Sequence, residues 1–515
     1  MKKLLLLCLT LPLISHADLS LPAILGSNMV LQRGQENKIW GWGEPNETVT
    51  IEFAGKTHKT SCDENGTWAI KLPAMEASSE NRSMTITGKN KLVLENILVG
   101  EVWVCSGQSN MGWSVNLTWN ADLEIATAKY PLIRHITNPN PGSQEPQKTF
   151  NGQWDICSPD NIGNFTAVGY YFGRMIHQVL DVPVGLIDNA WGGSACESWV
   201  KRDRLKGPLY EPLIQQWEEI EANFDLEKAK AVHAKKVKEW EAKRDKLKAA
   251  GKPIPNKPRP PRDILSGQHR PANLYNARHL PIVPYGIRGA IWYQGESNSG
   301  RAYQYRDLFP LMIQNWRDDW QQGDFPFYWV QLADFRDEED EPGDSTWAET
   351  REAQTMTMYK LPNTGQAVIT DLGEASDIHP KNKQEVAKRL ARWALAKDYN
   401  IDIPYRSAEF ESITIKDDKA TITFKHVNTA LRTVDHKKLD GFAIAGEDKV
   451  WHWAEAKIKG TDRVEVWCEN VKAPVAVRYG WADNPVCNLY DKVGLPVNPF
   501  RTDDWKGITA DALTR

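Results

Sequence analysis

Ser109 stands in Gly107-Gln108-Ser109-Asn110-Met111, directly after the apolar run Val102-Trp103-Val104-Cys105. A serine at the end of a strand and next to a glycine can be held proud of the backbone. Its hydroxyl then becomes a nucleophile once a base takes its proton. Asp377-Ile378-His379-Pro380 supplies such a base 270 residues downstream, with a carboxylate close behind it. Ser109 as nucleophile and His379 as general base describe acyl transfer through an acyl-serine. Separately, the serine could simply cap a helix and the histidine could be structural. The pair carries the chemistry.

Acyl transfer also needs donors for the oxyanion. The first candidates are the backbone N–H groups of Ser109 and Gly193, the latter in Trp191-Gly192-Gly193. Gln294, at the end of an apolar run, is the third, and Asn298 competes with it. The acid that orients His379 is expected to be Asp377, because residues two apart in an extended segment point the same way. Asp371 and a backbone carbonyl are the alternatives. Glu197 and Glu296 could form a glycosidase pair, but that reading leaves Ser109 and His379 idle. They read more simply as loop carboxylates, and Glu296 and Trp191 are expected to touch substrate. Trp113, Trp191 and Trp292 adjoin the motifs and could form a platform for a sugar ring, with core packing the equal alternative. No phosphate loop or His-Glu-x-x-His helix occurs, and the histidines are scattered, so no metal or cofactor is implied.

Four motifs come in a fixed order: Gly107 to Met111; Gly185-Leu186-Ile187 with Trp191-Gly192-Gly193; Trp292 to Asn298; and Asp377 to Pro380. Asn28 to Gln32 with Trp40-Gly41-Trp42 precede them, and Arg478 to Pro485 follow. This series resembles the sialate O-acetylesterase family, within the SGNH hydrolase group, over nearly the whole chain. The resemblance implies a flavodoxin-like catalytic layer and removal of O-acetyl groups from sugars, with sialic acid favoured. The chain departs from the SGNH pattern at Ser297, where an asparagine is usual, and at Ser376, where the acid usually stands. An acetyl esterase of plant or algal polysaccharide, such as acetylated xylan, is the rival reading; a catalytically silent carbohydrate-binding protein is the more distant one. A carboxylated sugar would want an arginine, for which Arg134 and Arg301 are available.

The elements that must position these residues divide the chain in three. Residues 18–97 read as a small β-sandwich of short strands separated by turn signals. Residues 98–400 alternate apolar runs (Val102–Cys105, Pro183–Ile187, Gly289–Tyr293, Phe327–Leu332, Ala367–Thr370) with helical spacing (170–180, 303–320, 383–399). That alternation predicts a parallel α/β sheet with chemistry at the strands' carboxyl ends. A charged, lysine-rich and then proline-rich insertion, 213–262, interrupts it and reads as a solvated helix. Residues 401–515 return to β patterning. Lys2-Lys3, the apolar run Leu4–Ile14 and Ser15-His16-Ala17 read as a signal peptide, 1–17, so a secreted or periplasmic location is expected. The net charge of −4 over 515 residues argues against a nucleic-acid partner. No apolar run suggests a membrane span. Six cysteines follow the leader and permit disulfides without fixing their pairing.

Overall fold

The computed structural model describes residues 18–435 and 438–515; the expected signal peptide lies outside the described residues. Six parallel strands form the centre: β1 (Lys91–Gly107), β2 (Ile133–Thr137), β3 (Val184–Asp188), β4 (Gly289–Tyr293), β5 (Phe327–Val330) and β6 (Thr364–Ala367). They lie in the order β6-β5-β4-β1-β3-β2. Val102, Trp103, Val104 and Cys105 of β1 are all buried, as expected of a strand covered on both faces.

The helices that matter for the site are α1 (Ser109–Gly112), α2 (Ala167–Leu180), α3 (Glu211–Asn223), α4 (Leu226–Ala249), α5 (Ala302–Trp320), α6 (Thr346–Lys360) and α7 (Lys383–Lys397). α2 and α7 cover one face of the sheet with Tyr170, Phe172, Ile176, Val386, Leu390 and Trp393. α5 covers the other through Leu308, Phe309, Met312 and Trp316. Thr166 starts α2 by accepting the Gly169 N–H at 3.2 Å. Asn382 does the same for α7, accepting the Glu385 N–H at 3.1 Å.

The first half of β1 belongs to a second, N-terminal sheet, where it pairs antiparallel with Ser78–Thr87 and parallel with Val30–Gln32. One strand therefore runs through position 97 and joins the two sheets. Glu101 sits at the junction, fully buried, and meets Arg33 and Arg288, which hold its carboxyl below the ordinary range against the effect of burial.

Beyond residue 408 two four-stranded antiparallel sheets and a two-stranded ribbon enclose their own core of Ile422, Phe424, Phe442, Val464, Val477 and Phe500. The last central strand covers Thr364–Ala367 rather than the expected Ala367–Thr370. Its register is set by pairing Phe327 with Thr364 through to Val330 with Ala367, and residues 368–370 continue beyond the partner strand. Cys62, Cys105, Cys157, Cys196, Cys468 and Cys487 are separate thiols.

Candidate active site

Ser109 opens α1 just beyond the carboxyl end of β1. Gly107 there has φ +131°, and a Cβ on it would stand 2.2 Å from the Tyr293 carbonyl oxygen, so β4 passes too close for any side chain. The Gln108 N–H donates to that same carbonyl at 2.9 Å. The turn is thus locked between two strands before the serine is reached.

His379, on the loop after β6, brings Nε2 to 2.9 Å from Ser109 Oγ. Its Nδ1 lies 3.3 Å from Asp377 Oδ1, which also accepts the His379 backbone N–H at 3.0 Å. A proton on Nδ1, facing the carboxylate, leaves Nε2 free to accept from the serine. The other acid considered, Asp371, holds Arg389 through both oxygens, at 2.6 and 2.7 Å. Ser376 is exposed. The Trp113 indole stacks on the imidazole with centroids 4.4 Å apart and planes 12° from parallel.

Behind the serine and histidine lies a buried polar cluster. The Asn110 side-chain amide donates to the Ile378 carbonyl at 3.0 Å and to Glu296 Oε1 at 2.7 Å. Its own oxygen accepts from Lys383 Nζ at 2.6 Å. Asn110 therefore ties the residue after the serine to the residue before the histidine. Lys383 is fully buried and lies 5.1 Å from the Tyr293 ring centroid. Burial pushes its ammonium down to about 7, against the pull of Glu296, and lifts the Glu296 carboxyl. Burial likewise pushes the His379 imidazole below its ordinary value, Lys383 adds to that, and Asp377 opposes it. The hydrogen bond from the His379 N–H leads in holding Asp377 low.

The Trp191–Ser194 loop docks on the serine turn: the Trp191 N–H and Ser194 Oγ both donate to the Gly107 carbonyl, at 3.0 and 3.3 Å. A Cβ on Gly192 would lie 3.6 Å from Ser109 Cβ, so this loop flanks the serine. Gly193 has φ +65°, a conformation that glycine adopts without strain. Among the described residues, neither the Ser109 nor the Gly193 N–H meets a protein acceptor.

Gln294 and Asn298 behave differently from the expectation. Gln294 Nε2 donates to the Ser194 carbonyl at 3.1 Å and to Asn298 Oδ1 at 2.7 Å, and its oxygen accepts from the Tyr305 hydroxyl at 2.8 Å. Asn298 Nδ2 donates to Glu197 at 2.9 Å, and Asn298 Oδ1 accepts the Cys196 N–H at 2.8 Å. Both amides take part in a buried network that pins the glycine loop from beneath, Gln294 with both of its N–H groups, and the hydrogen bonds they make do not run to Ser109. Glu197 anchors that network in an ion pair with Arg301, both fully buried, so it cannot face a sugar across from Glu296. The glycosidase pairing fails on this point.

The other motif residues also separate. Trp292 is wholly buried against Trp199 and Trp316 and forms core rather than a platform. Arg134 is buried against Asn28 and Asn96. Trp191, with the Arg278 guanidinium 4.5 Å from its ring centre, borders a cavity of about 980 Å³. That cavity opens beside Gly192 and is walled by Trp217, Gln268, His269, Arg262 and Arg515. Trp113 turns to the histidine. Lys383 and the cluster role of Asn110 and Glu296 escape a sequence reading, because a buried lysine on an amphipathic helix looks like a solvated one. Among the described residues no group of three or more His, Cys, Asp or Glu is placed to hold a metal ion.

Comparison with known proteins adds to this geometry. The carbohydrate esterase family described as sialic acid-specific acetylesterase matches residues 99–233 and 272–396. The human protein named sialate O-acetylesterase (Homo sapiens) is 28% identical over 96% of both chains, and the mouse protein of that name (Mus musculus) is 30% identical over 72% of each. A solved carbohydrate acetylesterase from Xanthomonas citri is 34% identical, with a TM-score of 0.80 over 95% of this chain and all of that one.

Proposed function

The chain belongs to the sialic acid-specific acetylesterase family of carbohydrate esterases, and on that premise we propose that it removes O-acetyl groups from sugars through an acetyl-serine intermediate. The observation that carries the reading is the chain of contacts from Ser109 Oγ to His379 Nε2 at 2.9 Å and from Nδ1 to Asp377 at 3.3 Å.

In this mechanism Ser109 Oγ attacks the acetyl carbonyl as its proton passes to His379 Nε2. The tetrahedral oxyanion is held by the Ser109 and Gly193 N–H groups, each contributing about 3 kcal/mol to the transition state. Asp377 stabilises the imidazolium and keeps its tautomer. The imidazolium then protonates the departing sugar oxygen, and the acetyl group stays on Ser109. Water, deprotonated by the same imidazole, attacks the acetyl-serine and releases acetate. Trp191 and the cavity beside Gly192 receive the sugar.

Without β2, the remaining central strands run 2-1-3-4-5 in chain order, which supports a flavodoxin-like SGNH layer with its ligand crevice at the carboxyl ends of the strands. The proposal includes a three-part organisation, 18–97, 98–400 and 401–515, and export directed by residues 1–17. Among the described residues no helix is long and apolar enough to cross a membrane.

The sugar is proposed to be a sialic acid, as in the names of the curated relatives. The Xanthomonas citri structure is described only as a carbohydrate acetylesterase, a name equally compatible with a second reading, an acetyl esterase of plant or algal polysaccharide such as acetylated xylan. Acetate release from a 9-O-acetylated sialoglycan and from acetylated xylan, measured side by side with Ser109→Ala as control, decides between them. Activity on either substrate that survives Ser109→Ala overturns the serine mechanism.

A further inference from the structure

Residues 234–271 fall between the two stretches matched by the family, and most of them form one arm. The arm is α4 followed by a proline-rich return through Arg262. No residue of α4 is buried. Its half-covered positions recur every three or four residues from Leu226 to Leu247 and mark a single face. The return lies against the helix: His233 Nε2 meets the Pro258 carbonyl at 3.1 Å, and Trp240 Nε1 donates to the Pro255 carbonyl at 2.7 Å. Prolines hold such a strand extended without a hydrogen-bonded partner strand.

Its charge sets the arm apart. Residues 226–262 hold thirteen lysines and arginines against four acids, a net +9 within a chain of net −4. Among the described residues, only Lys230 and Arg244 of these cations pair with a carboxylate. Where the return meets the start of α4, a groove of about 630 Å³ is bordered by Lys228, Lys236, Arg259 and His233. The acid at its edge, Asp225, is occupied in capping α4 through the Lys228 N–H at 3.0 Å. This groove begins at Asn223 and Pro261, and the cavity beside Gly192 ends at Ile220 and Arg262. The two are neighbours along the same pair of segments.

We propose that the arm docks an anionic glycan, a chain of carboxylate-bearing sugars whose acetylated unit enters the cavity beside Gly192 while further units lie in the groove between α4 and the proline-rich return. The inference rests on the acetylesterase reading of Ser109. A groove lined by residues next in sequence to those of the cavity fits a polymer strand better than a flat membrane surface, and the return already covers one face of α4.

The test uses the full chain carrying Ser109→Ala, so that binding is read without turnover. Polygalacturonate is the carboxylated probe, dextran the neutral one, and phosphatidylglycerol vesicles the membrane one. Binding to polygalacturonate is expected to weaken steeply with salt, as exposed charges are screened. Lys228→Glu, Lys236→Glu and Arg259→Glu combined are expected to weaken it about tenfold or more, whereas the three residues exchanged within the Lys/Arg pair retain it. With Ser109 restored, the charge-reversed variant is expected to hydrolyse p-nitrophenyl acetate like the parent, which shows that it folds, and to have a raised KM for acetylated polygalacturonate. Equal binding of dextran, undiminished binding by the charge-reversed variant, or arm-dependent binding to vesicles alone would overturn the proposal. Arm-dependent polygalacturonate binding by a parent that releases no acetate from any ester would sustain the docking surface and sink the esterase reading.

Discussion

At the scale of single residues, the proposed mechanism turns on keeping His379 neutral and correctly protonated. Burial and the Lys383 ammonium both place its titration below the ordinary imidazole value of 6.5. The base form does the work in that mechanism, so kcat/KM should rise as pH climbs through that lowered value and then level off. Lys383→Met removes the cation. The acid limb should then move to higher pH, while the Glu296 carboxyl, already lifted by burial, takes up a proton more readily. An unmoved limb would detach Lys383 from the histidine. The same lysine carries a stability signature. Its folded value of about 7 lies below its ordinary 10.5, so unfolding takes up a proton between those values and stability should rise with pH across that window. Lys383→Met should flatten this rise in denaturant titrations at pH 7 and pH 10. In the proposed mechanism Asp377 acts on the tautomer instead. Asp377→Asn should lower kcat by as much as about 10⁴-fold at unchanged fold; near-parental turnover in a steady-state assay would remove it from the mechanism.

At the scale of elements, the question is what holds the glycine loop against the serine turn. The Glu197–Arg301 pair, with Asn298 and Gln294, forms the floor of that loop. Glu197→Gln leaves a buried guanidinium without its counter-charge and should cost about 3–5 kcal/mol. Loss of the exposed Lys71–Glu36 pair should cost at most about 1 kcal/mol. Chemical denaturation of both variants separates these magnitudes, and equal midpoints would refute the floor. This network also shows where sequence patterns stop informing. The serine turn, the glycine loop and the histidine loop were each legible, because strand-end glycines and a His-Pro before a helix leave few conformations open. The direction of an amide was not. Gln294 at the end of a buried strand can turn toward the serine or inward with equal local propensity, and only the positions of Glu197 and Tyr305, distant in sequence, decide it. Trp292 shows the same limit: its place in a motif leaves sugar platform and core packing equally open, and the structure puts it in the core.

At the scale of the whole molecule, Arg351 is one of the ties that join the C-terminal sheets to the catalytic layer. Arg351 of α6 is fully buried and donates to the Leu332 and Ala333 carbonyls beyond β5 and to the Ala482 and Asp483 carbonyls of the Arg478–Pro485 motif. Asp483 in turn accepts from Ser345, which caps α6, and from Arg336. The Phe335 N–H donates to the Asp483 carbonyl at 3.2 Å, and the Arg336 N–H to the Ala375 carbonyl at 3.0 Å, two residues before Asp377. A path of hydrogen bonds therefore runs from the C-terminal β-structure to the loop that carries the histidine. Arg351→Met keeps much of the side-chain volume and leaves the Leu332 and Ala482 carbonyls without their donor, each worth about 1–3 kcal/mol when left unmade, while Ala333 keeps the Trp347 indole N–H and Asp483 the Phe335 N–H. Arg351→Lys offers a single donor head in place of a planar fork and should recover only part of the loss. Thermal unfolding should therefore rank parent, lysine and methionine variants in that order. Turnover of p-nitrophenyl acetate well below the transition should fall in the same order, with KM nearly constant, because the histidine loop loses its support while the cavity beside Gly192 is untouched. A methionine variant that melts early yet turns over like the parent when folded would make Arg351 a purely structural tie and cut the path at Ala375.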